Sequence, residues 1–506
     1  MKFIASRWRA ASKRFALIFA LSAIGCASFA STKPRYGGTL HVEFLAQSVS
    51  LDPRSWKSGS RDFGANERLA ALVYERLVSL DNYGRFTPQL ATEWSHDGSF
   101  KHWQFVLRRD IKFSDGSILT ANDAAAALAP LLPDDLKVSA SGGNIIFQST
   151  DSRPDLLELL ASGRFFVYRI TAAGSLIGTG AFTQDDSTRN TKASSPDAGA
   201  TQANTQKLRF TANESCWAGR PFLNEIEITY GVPPLRALFD LQVGRADLVE
   251  LAPDIVRRAT QSNTRVWASS PLTIYALRFN DSLPADSSRK LREAFSLSLD
   301  RATMAGVLLQ KQAEPAAALL PQWLSGYAFL FKAEMDLEHA KDLRSSLPLN
   351  VAGGTSPLRL QSEASGDLAR LIAERVAVNA RQASLAVQPL SKATNTSELR
   401  LFAWRIESLS AGQELRELAR EERLEDSKEG NPADPDRRYA WERKILEERK
   451  LMPLVAVPDY VGIAATVRDW QPSPWGELRL ADVWLEPASP QKSAAPAHNA
   501  PTGARP

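Results

Sequence analysis

Segments with the alternating pattern of a β-strand are interleaved with segments of helical spacing along this chain. Residues 39–44 alternate between apolar and polar side chains, and residues 65–80 carry apolar groups at helical spacing. Residues 103–107 and 111–113 alternate again and predict a pair of strands. Such interleaving is typical of α/β proteins, and a chain of 506 residues has room for about two to four domains. The sequence therefore predicts an α/β chain with more than one lobe.

Turn-forming and cap-forming residues separate these segments. Residues 81–84 and the pair Asp115-Gly116 predict turns, and Thr120 is followed by Asp123 in the pattern of an N-cap that opens an alanine-rich helix. Residues 183–206 are mostly small and polar and predict a loop. Between residues 414 and 450 charged side chains surround an apolar stripe, which predicts two solvated amphipathic helices rather than a partner-binding coiled coil.

The N-terminal residues have the composition of an export signal. Residues 1–30 contain basic side chains and no acidic ones, and the apolar run 15–24 is followed by small residues. This run is shorter than the roughly 20 apolar residues that span a bilayer. We therefore predict that residues 1–30 are a signal peptide and that the mature protein is periplasmic or otherwise extracytoplasmic. A retained N-terminal anchor is the alternative.

Two processing sites compete in this leader. Ser28 and Ala30 are small residues at the two positions that a signal peptidase reads, with cleavage before Ser31. Alternatively, residues 23–26 are similar to a lipobox, which would make Cys26 the lipidated residue, although Ala23 stands where leucine is usual. The first site is favoured, so the predicted protein is soluble, with lipid anchoring at the membrane surface as the alternative.

The charge distribution excludes a general nucleic-acid binder. The formal net charge is +4, but the basic excess lies in the leader, which holds none of the 57 acidic residues. The remainder of the chain is close to neutral and lacks the basic footprint that phosphate binding requires.

Common catalytic and cofactor motifs are missing from the sequence. It contains no Gly-x-Ser-x-Gly elbow and no phosphate-binding P-loop, and residues 178–180 lack the third glycine of a dinucleotide fingerprint. His96 and His102 could meet across two strands and bind a metal, but solvated histidines are the commoner outcome. Cys216 is expected to be a small buried hydrophobe rather than a nucleophile. The sequence predicts no enzyme, no cofactor and no metal site.

An ordered series of motifs resembles one protein family. The series includes Trp94, the pair Asp97-Gly98, residues 103–108 and the pair Asp115-Gly116, and it continues through residues 177–182, 213–221, 244–247, 277–280, 291–301 and 445–454. Together these residues resemble the family 5 extracytoplasmic solute-binding proteins, the peptide/nickel-type receptors of ABC importers. Ala181 and Cys216 stand where the family usually has proline and tyrosine. The resemblance covers most of residues 36–485.

The resemblance implies the enlarged type II periplasmic-binding-protein fold, with two lobes around a cleft. Two chain crossings would form the hinge, the first near residues 267–277 and the return near residues 463–470. Lobe one would hold residues 31–270 and 465–486, lobe two residues 271–464, and residues 487–506 would be a disordered tail. The implied protein is a monomeric receptor that shuts on its ligand and then docks on ABC permease subunits.

The resemblance also suggests ligand-binding residues. Peptide-binding members present a Trp-x-x-Asp motif whose aspartate pairs with the free amino group of the peptide, and Trp404 and Glu407 stand at the corresponding positions. Glu407 is therefore expected to bind an amine, Trp404 to stack on the ligand, and Gln47 to face it from lobe one. The expected cargo is a short peptide or a similar amine-bearing solute. Nickel bound through a histidine is disfavoured, because no histidine lies between residues 340 and 497.

Two alternatives remain open. The Asp-Pro-rich stretch that follows this motif in the family is missing after Glu407. Trp404 would then simply pack in the core and Glu407 would pair with a surface arginine. The alternative function is that of a divergent, non-transport paralogue acting as a sensor or a chaperone-like binding module.

Overall fold

The computed structural model describes residues 33–60, 62–185, 205–280, 285–348, 351, 356–364, 366–390, 397–424 and 434–487. The predicted signal peptide, both processing sites with Cys26, and all of the predicted tail except its first residue lie outside these ranges, as does most of the predicted loop 183–206. The architecture below is that of the compact unit that begins at Tyr36.

Strands and helices are mixed along the whole described chain. The strands are β1 (Thr39–Phe44), β2 (Val78–Leu80), β3 (Phe86–Pro88), β4 (Ala91–His96), β5 (His102–Leu107), β6 (Leu136–Ser141), β7 (Asn144–Ser149), β8 (Arg169–Ile170), β9 (Leu176–Ile177), β10 (Phe182–Gln184), β11 (Gln206–Ala212), β12 (Glu225–Tyr230), β13 (Leu248–Leu251), β14 (Arg265–Phe279), β15 (Glu314–Pro315), β16 (Leu358–Ser362), β17 (Val387–Leu390), β18 (Leu399–Arg405), β19 (Leu451–Ile463), β20 (Val467–Arg468) and β21 (Trp484–Leu485).

The helices lie between these strands. They are α1 (Phe63–Val73), α2 (Ala121–Leu128), α3 (Leu156–Leu160), α4 (Pro234–Gln242), α5 (Pro253–Gln261), α6 (Ala285–Ser298), α7 (Arg301–Thr303), α8 (Gln322–Ser325), α9 (Leu337–Ser345), α10 (Asp367–Gln382), α11 (Ala411–Glu421) and α12 (Pro435–Glu447), with 3₁₀ turns at Pro53–Ser55, Ala129–Leu131 and Ala328–Leu330 and a π turn at Met304–Leu308. No helix in the described ranges is long and apolar enough to cross a membrane.

One large mixed sheet runs through the fold. Its strand order is β10-β11-β12-β1-β13-β19-β14-β18-β16-β17, and β15 adds to β19 at the side. Strand β1 is parallel to β12 and β13, and β16 is parallel to β17 and β18, whereas β14 and β19 pair antiparallel with each other. A separate four-stranded sheet has the order β4-β5-β7-β6.

The two longest strands, β14 and β19, connect different hydrophobic cores. One cluster of buried apolar side chains is built mainly from residues 40–248 together with residues 461–483, and two further clusters lie within residues 274–457. Between them the β14–β19 ladder is irregular around Pro271, which lies opposite Pro458. Proline has no backbone N–H to donate, so the ladder is weakest where the strands pass from one core to the next.

Several local predictions are confirmed. Strand β1 and the two amphipathic helices α11 and α12 form where the patterns indicate. Gly84 and Gly116 have φ values of +77° and +83° in the predicted turns, a conformation that glycine adopts without penalty. Thr120 caps α2 through a capping box in which its side chain accepts from the N–H of Asp123.

Two local predictions are wrong. The helix predicted over residues 65–80 ends at Val73, and residues 78–80 form strand β2 instead. The N–H of Gly180 donates to the carbonyl of Val73 at 2.9 Å, and a Cβ on Gly178 would lie 2.0 Å from that carbonyl, so a distant segment occupies the place of the next helical turn. Residues 103–107 pair with β4 and β7 rather than with residues 111–113.

Candidate functional site

A cavity of about 670 Å³ lies between two stretches that are far apart in the sequence. One wall is formed by residues 130–135 and 163–165 with Arg54 and Ser58, and the other by Glu407, Ser408 and one face of α11. Cavities of about 300–1,000 Å³ are typical of small-molecule sites. The volume therefore suits a ligand the size of a small peptide.

The lining of this cavity carries charge of both signs. Four arginines and six carboxylates line it in the described part of the chain: Arg54, Arg164, Arg416, Arg420, Asp134, Asp135, Asp151, Glu407, Glu414 and Glu417. Such a surface favours a ligand that itself carries polar or charged groups over a purely apolar one.

Glu407 reaches this cavity from the segment that follows β18. Its side chain is 10% exposed, its Oε1 accepts a hydrogen bond from the N–H of Gly59, and its Oε2 lies 3.4 Å from Nη2 of Arg164. The same Nη2 donates to Oγ of Ser58 at 2.8 Å. The proposed amine-binding carboxylate thus lines the cavity while contacting groups of the opposite wall.

Glu414 fixes the segment that carries Glu407. Its carboxylate accepts from Nε1 of Trp404 at 2.6 Å and from the backbone N–H groups of Glu407 at 3.1 Å and Ser408 at 2.9 Å. Ser410 caps α11 by accepting from the N–H of Gln413 at 3.2 Å, which places Glu414 in the first turn of that helix. No sequence motif pointed to Glu414.

The two carboxylates Glu407 and Glu414 form a buried pair. Burial raises the pKa of Glu407 well above its usual value, and the charge of Glu414 raises it further, while Arg164 lowers it. Burial also raises the pKa of Glu414, against the hydrogen bonds that it accepts. An ionised pair is therefore disfavoured in this structure unless a further positive charge comes close.

Trp404 lies in the core. It is 3% exposed, belongs to one of the clusters within residues 274–457, and is not among the residues that line the 670 Å³ cavity. Its indole packs on the backbone of Gly59, where an added Cβ would lie 2.3 Å from the ring. Trp404 therefore contacts the site through Glu414 and Gly59.

Gln47 lies on an exposed loop after β1. Its Nε2 donates to the carbonyl of Leu45 at 3.1 Å, and its side chain is not part of the lining of the 670 Å³ cavity. Leu45 and Ala46 line a different cavity of about 110 Å³. The structure brings Trp404 and Glu407 together around Glu414 but does not bring Gln47 to them.

Several contacts join the two chain segments that carry the walls of the large cavity. The N–H of Leu409 donates to Oγ of Ser162 at 2.9 Å, and Oγ of Ser410 donates to Asp155 at 2.5 Å. Sequence reasoning missed Arg164, Ser162 and Asp155, because these partners lie about 250 residues away from the segment they bind and belong to no recognisable motif.

A second polar network lies beside the 110 Å³ cavity. Asp459 accepts from Arg405 at 2.9 and 2.8 Å and also from Arg68, which forms a further ion pair with Glu250. Burial alone would raise the pKa of Asp459, but the charges of Arg405 and Arg68 outweigh burial and lower it to about 2. Asp459 therefore stays ionised near neutral pH and holds two buried arginines together.

The two candidate metal-binding histidines lie on neighbouring strands. The His96 ring stacks on Phe100 with a centroid separation of 4.2 Å, and Nδ1 of His102 is 3.3 Å from Asp97. No group of three or more His, Cys, Asp or Glu side chains in the described ranges could hold a metal ion. Cys216 is a partly buried free thiol, and burial raises its pKa.

Comparison with known families identifies the scaffold. Residues 85–401 match the model of the bacterial extracellular solute-binding proteins, family 5. The chain belongs to this family. The resemblance seen in the sequence motifs is thereby confirmed.

Relatives of this family member are periplasmic binding proteins. The chain is 24% identical over 355 residues to the nickel-binding periplasmic protein of Escherichia coli K12, a match that covers 62% of this chain and 64% of the relative. It is also 24% identical over 297 residues to the periplasmic murein peptide-binding protein MppA of the same organism, covering 50% of this chain and 52% of the relative. The chain thus spans less than two thirds of the length of these relatives.

Solved structures confirm the predicted type II fold class. The oligopeptide-binding protein AppA from Bacillus subtilis, in complex with a nonapeptide, is 16% identical with a TM-score of 0.69, covering 90% of this chain and 100% of AppA. NikA from Brucella suis, in complex with Fe(III)-EDTA, is 18% identical with a TM-score of 0.70, covering 89% of this chain and 100% of NikA.

Proposed function

We propose that this protein is the extracytoplasmic receptor of an ABC import system. In this proposal it captures a short peptide or a similar amine-bearing solute between two lobes and delivers it to membrane permease subunits, as a monomer and without catalysing a reaction. The observation that carries the proposal is the 670 Å³ charged cavity between residues 54–165 and residues 407–420, in a chain of the family 5 solute-binding proteins. Residues 1–30 are proposed as its cleaved signal peptide, with lipidation of Cys26 as the alternative.

The proposed lobes are residues 31–270 with 465–486, and residues 271–464. The separate hydrophobic clusters within residues 40–248 and within residues 274–457 support this division, while Val461 and Ile463 pack with the first cluster. Strands β14 and β19 join the lobes, and the interrupted ladder at Pro271 and Pro458 is where bending costs the fewest hydrogen bonds. Opening would break the contacts of Glu407, Leu409 and Ser410 with the opposite wall.

Ligand binding favours the shut state only through contacts that the open state lacks. A solute in the cavity touches both walls when they are shut, and the shift in population equals its difference in affinity for the two states. Glu407 is the proposed partner of the ligand ammonium, because its carboxylate lies at the junction of both walls. An ammonium at this position would supply the positive charge that the Glu407–Glu414 pair requires to be fully ionised.

The other two proposed ligand-site residues have different places in this scheme. Trp404 acts as a positioning residue, since its indole N–H holds Glu414 and its ring fixes Gly59, whose N–H contacts Glu407. Gln47 remains a proposed contact from lobe one, on the exposed loop after β1.

One observation favours the second candidate function, a non-transport sensor or chaperone-like module. The carboxylate of Glu407 is already engaged by Gly59 and Arg164, and α11 begins at Ala411, only three residues after Ser408. Because groups of the protein already bind the Glu407 carboxylate, the two walls need no ligand amine to come together.

Thermal denaturation with defined peptides separates the two functions. A mixture of di- and tripeptides at millimolar concentration should raise the melting temperature by mass action if peptides bind the native state. The same peptides with acetylated N-termini serve as the matched control and should give a smaller shift. The absence of any shift with free peptides would refute the peptide-receptor proposal and leave the sensor or chaperone-like module.

A further inference from the structure

A further cavity of about 300 Å³ lies entirely within residues 296–453. It shares no lining residue with the 670 Å³ cavity. Its walls come from the end of α6, from Arg301, from residues 330–334, from one face of α12 and from the start of β19. This cavity is therefore separate from the proposed transport site.

A buried cation without a carboxylate partner among the described residues lines the 300 Å³ cavity. Arg301 is 5% exposed, and its Nε and Nη1 donate to the carbonyls of Pro453 at 2.7 Å and Ser296 at 3.4 Å. No carboxylate of the described residues lies within 4 Å of its guanidinium. Burial, together with the smaller effect of the charge of Arg449, lowers the pKa of Arg301 to about 10. Buried charges are normally paired, so Arg301 is a group with which an anion in this cavity can pair.

Further cations surround Arg301. Lys332, Arg443 and Arg449 line the same cavity, together with the carboxylates of Glu334 and Glu447. Arg449 forms an ion pair with Glu293, and Nε of Arg443 is 3.5 Å from Glu447. These two pairs leave Arg301 and Lys332 against the single carboxylate of Glu334, so the lining keeps a small positive excess that attracts an anion.

The rest of the lining is apolar and aromatic. The rings of Phe331 and Tyr439 lie 5.2 Å apart, and Leu330, which is 49% exposed, lines the cavity beside residue 331. An inorganic anion would leave this surface unused, whereas an anion with a hydrocarbon body would cover it.

We propose that this cavity is a second ligand-binding site, for a small organic carboxylate with an apolar body. Its carboxylate would pair with Arg301 and Arg443, and its body would pack against Phe331 and Tyr439. The proposal does not depend on the cargo of the 670 Å³ cavity.

Isothermal titration calorimetry with 3-phenylpropionate tests this proposal, with its uncharged amide and inorganic phosphate as comparison probes at matched ionic strength. We expect saturable one-to-one binding of the carboxylate and much weaker binding of the amide and of phosphate. Arg443→Glu should weaken carboxylate binding at least about ten-fold, because it replaces an attractive charge with a repulsive one. Arg443 is 55% exposed, so this variant is expected to fold, which its melting temperature verifies.

Matched controls locate the binding. Arg437→Glu changes an 82% exposed arginine on the same helix that does not line the cavity, and it should leave the affinity unchanged. Arg164→Gln alters the 670 Å³ cavity and should also leave the affinity unchanged. The proposal is overturned if calorimetry detects no saturable binding with the probe at about 10 mM, which is well above the dissociation constant of about 1 mM that is typical of a weak ligand. It is equally overturned if the amide or phosphate binds as tightly as the carboxylate, or if Arg443→Glu has no effect.

Discussion

Replacing Glu407 by glutamine removes the charge proposed to bind the ligand amine while keeping the size of the side chain. A hydrogen bond between charged groups contributes about 1.5–3 kcal/mol, so the affinity for a peptide with a free N-terminus should fall about 10- to 150-fold. The fold should tolerate the change. Glutamine has the shape of the protonated carboxyl that burial favours, and its Oε1 can still accept from the N–H of Gly59. We expect the free energy of unfolding to change by less than about 1 kcal/mol.

Calorimetry with the peptide that gives the largest thermal shift measures this loss. Glu417→Gln is the matched control, because Glu417 lines the same cavity from α11 but pairs with Arg420. It should alter the affinity by much less. The acetylated peptide should bind wild type and Glu407→Gln equally. If the Glu407→Gln variant binds the free peptide as tightly as wild type does, Glu407 is only the partner of Arg164 and the proposed amine contact is refuted.

Three further outcomes are expected. Peptide affinity should rise with pH between about 5 and 7, because the carboxyl pair in the cavity has raised pKa values and the peptide ammonium, whose ordinary pKa is about 7.7–8, favours the ionised form. Calorimetry in buffers of different ionisation enthalpy should detect proton release, and pH-independent affinity would contradict this. Asp459→Asn should lower the free energy of unfolding, measured in urea, by about 3–5 kcal/mol, whereas the exposed control Asp367→Asn should lower it by less than about 0.5 kcal/mol. Because the pKa of Asp459 is lowered, wild type should lose stability from this group as pH falls towards 2. Equal effects of the two variants would contradict the network. Gly59→Ala should destabilise by about 1–3 kcal/mol more than Gly116→Ala, because both residues have positive φ but only the first would contact Trp404; equal urea midpoints would contradict the packing.

The parts of the fold that could be predicted from the sequence depend on local physics. Asp115-Gly116 predicts a turn because glycine adopts a positive φ there, and Thr120 predicts a helix start because its side chain satisfies a free N–H. The motif at Trp404 and Glu407 lies beside the large cavity, which Glu407 lines, and its role in ligand binding stays a prediction.

The parts that could not be predicted depend on distant residues. The helix predicted to Leu80 ends at Val73 because Gly178 and Gly180 pack on its last carbonyls. The engagement of Glu407 by Arg164 links positions 243 residues apart, and no periodic pattern encodes such a pair. The buried Arg301 is likewise defined by carbonyls from two other elements, which a single sequence does not bring together.

The movement of two lobes around a ligand can be measured directly as a distance. Spin labels at the exposed positions Tyr83 in proposed lobe one and Arg437 in proposed lobe two, in a Cys216→Ser background, report the separation by pulsed electron paramagnetic resonance. We expect a broad or long distance distribution without ligand that narrows and shortens at saturating peptide. An identical distribution with and without a peptide that calorimetry shows to be bound would contradict closure.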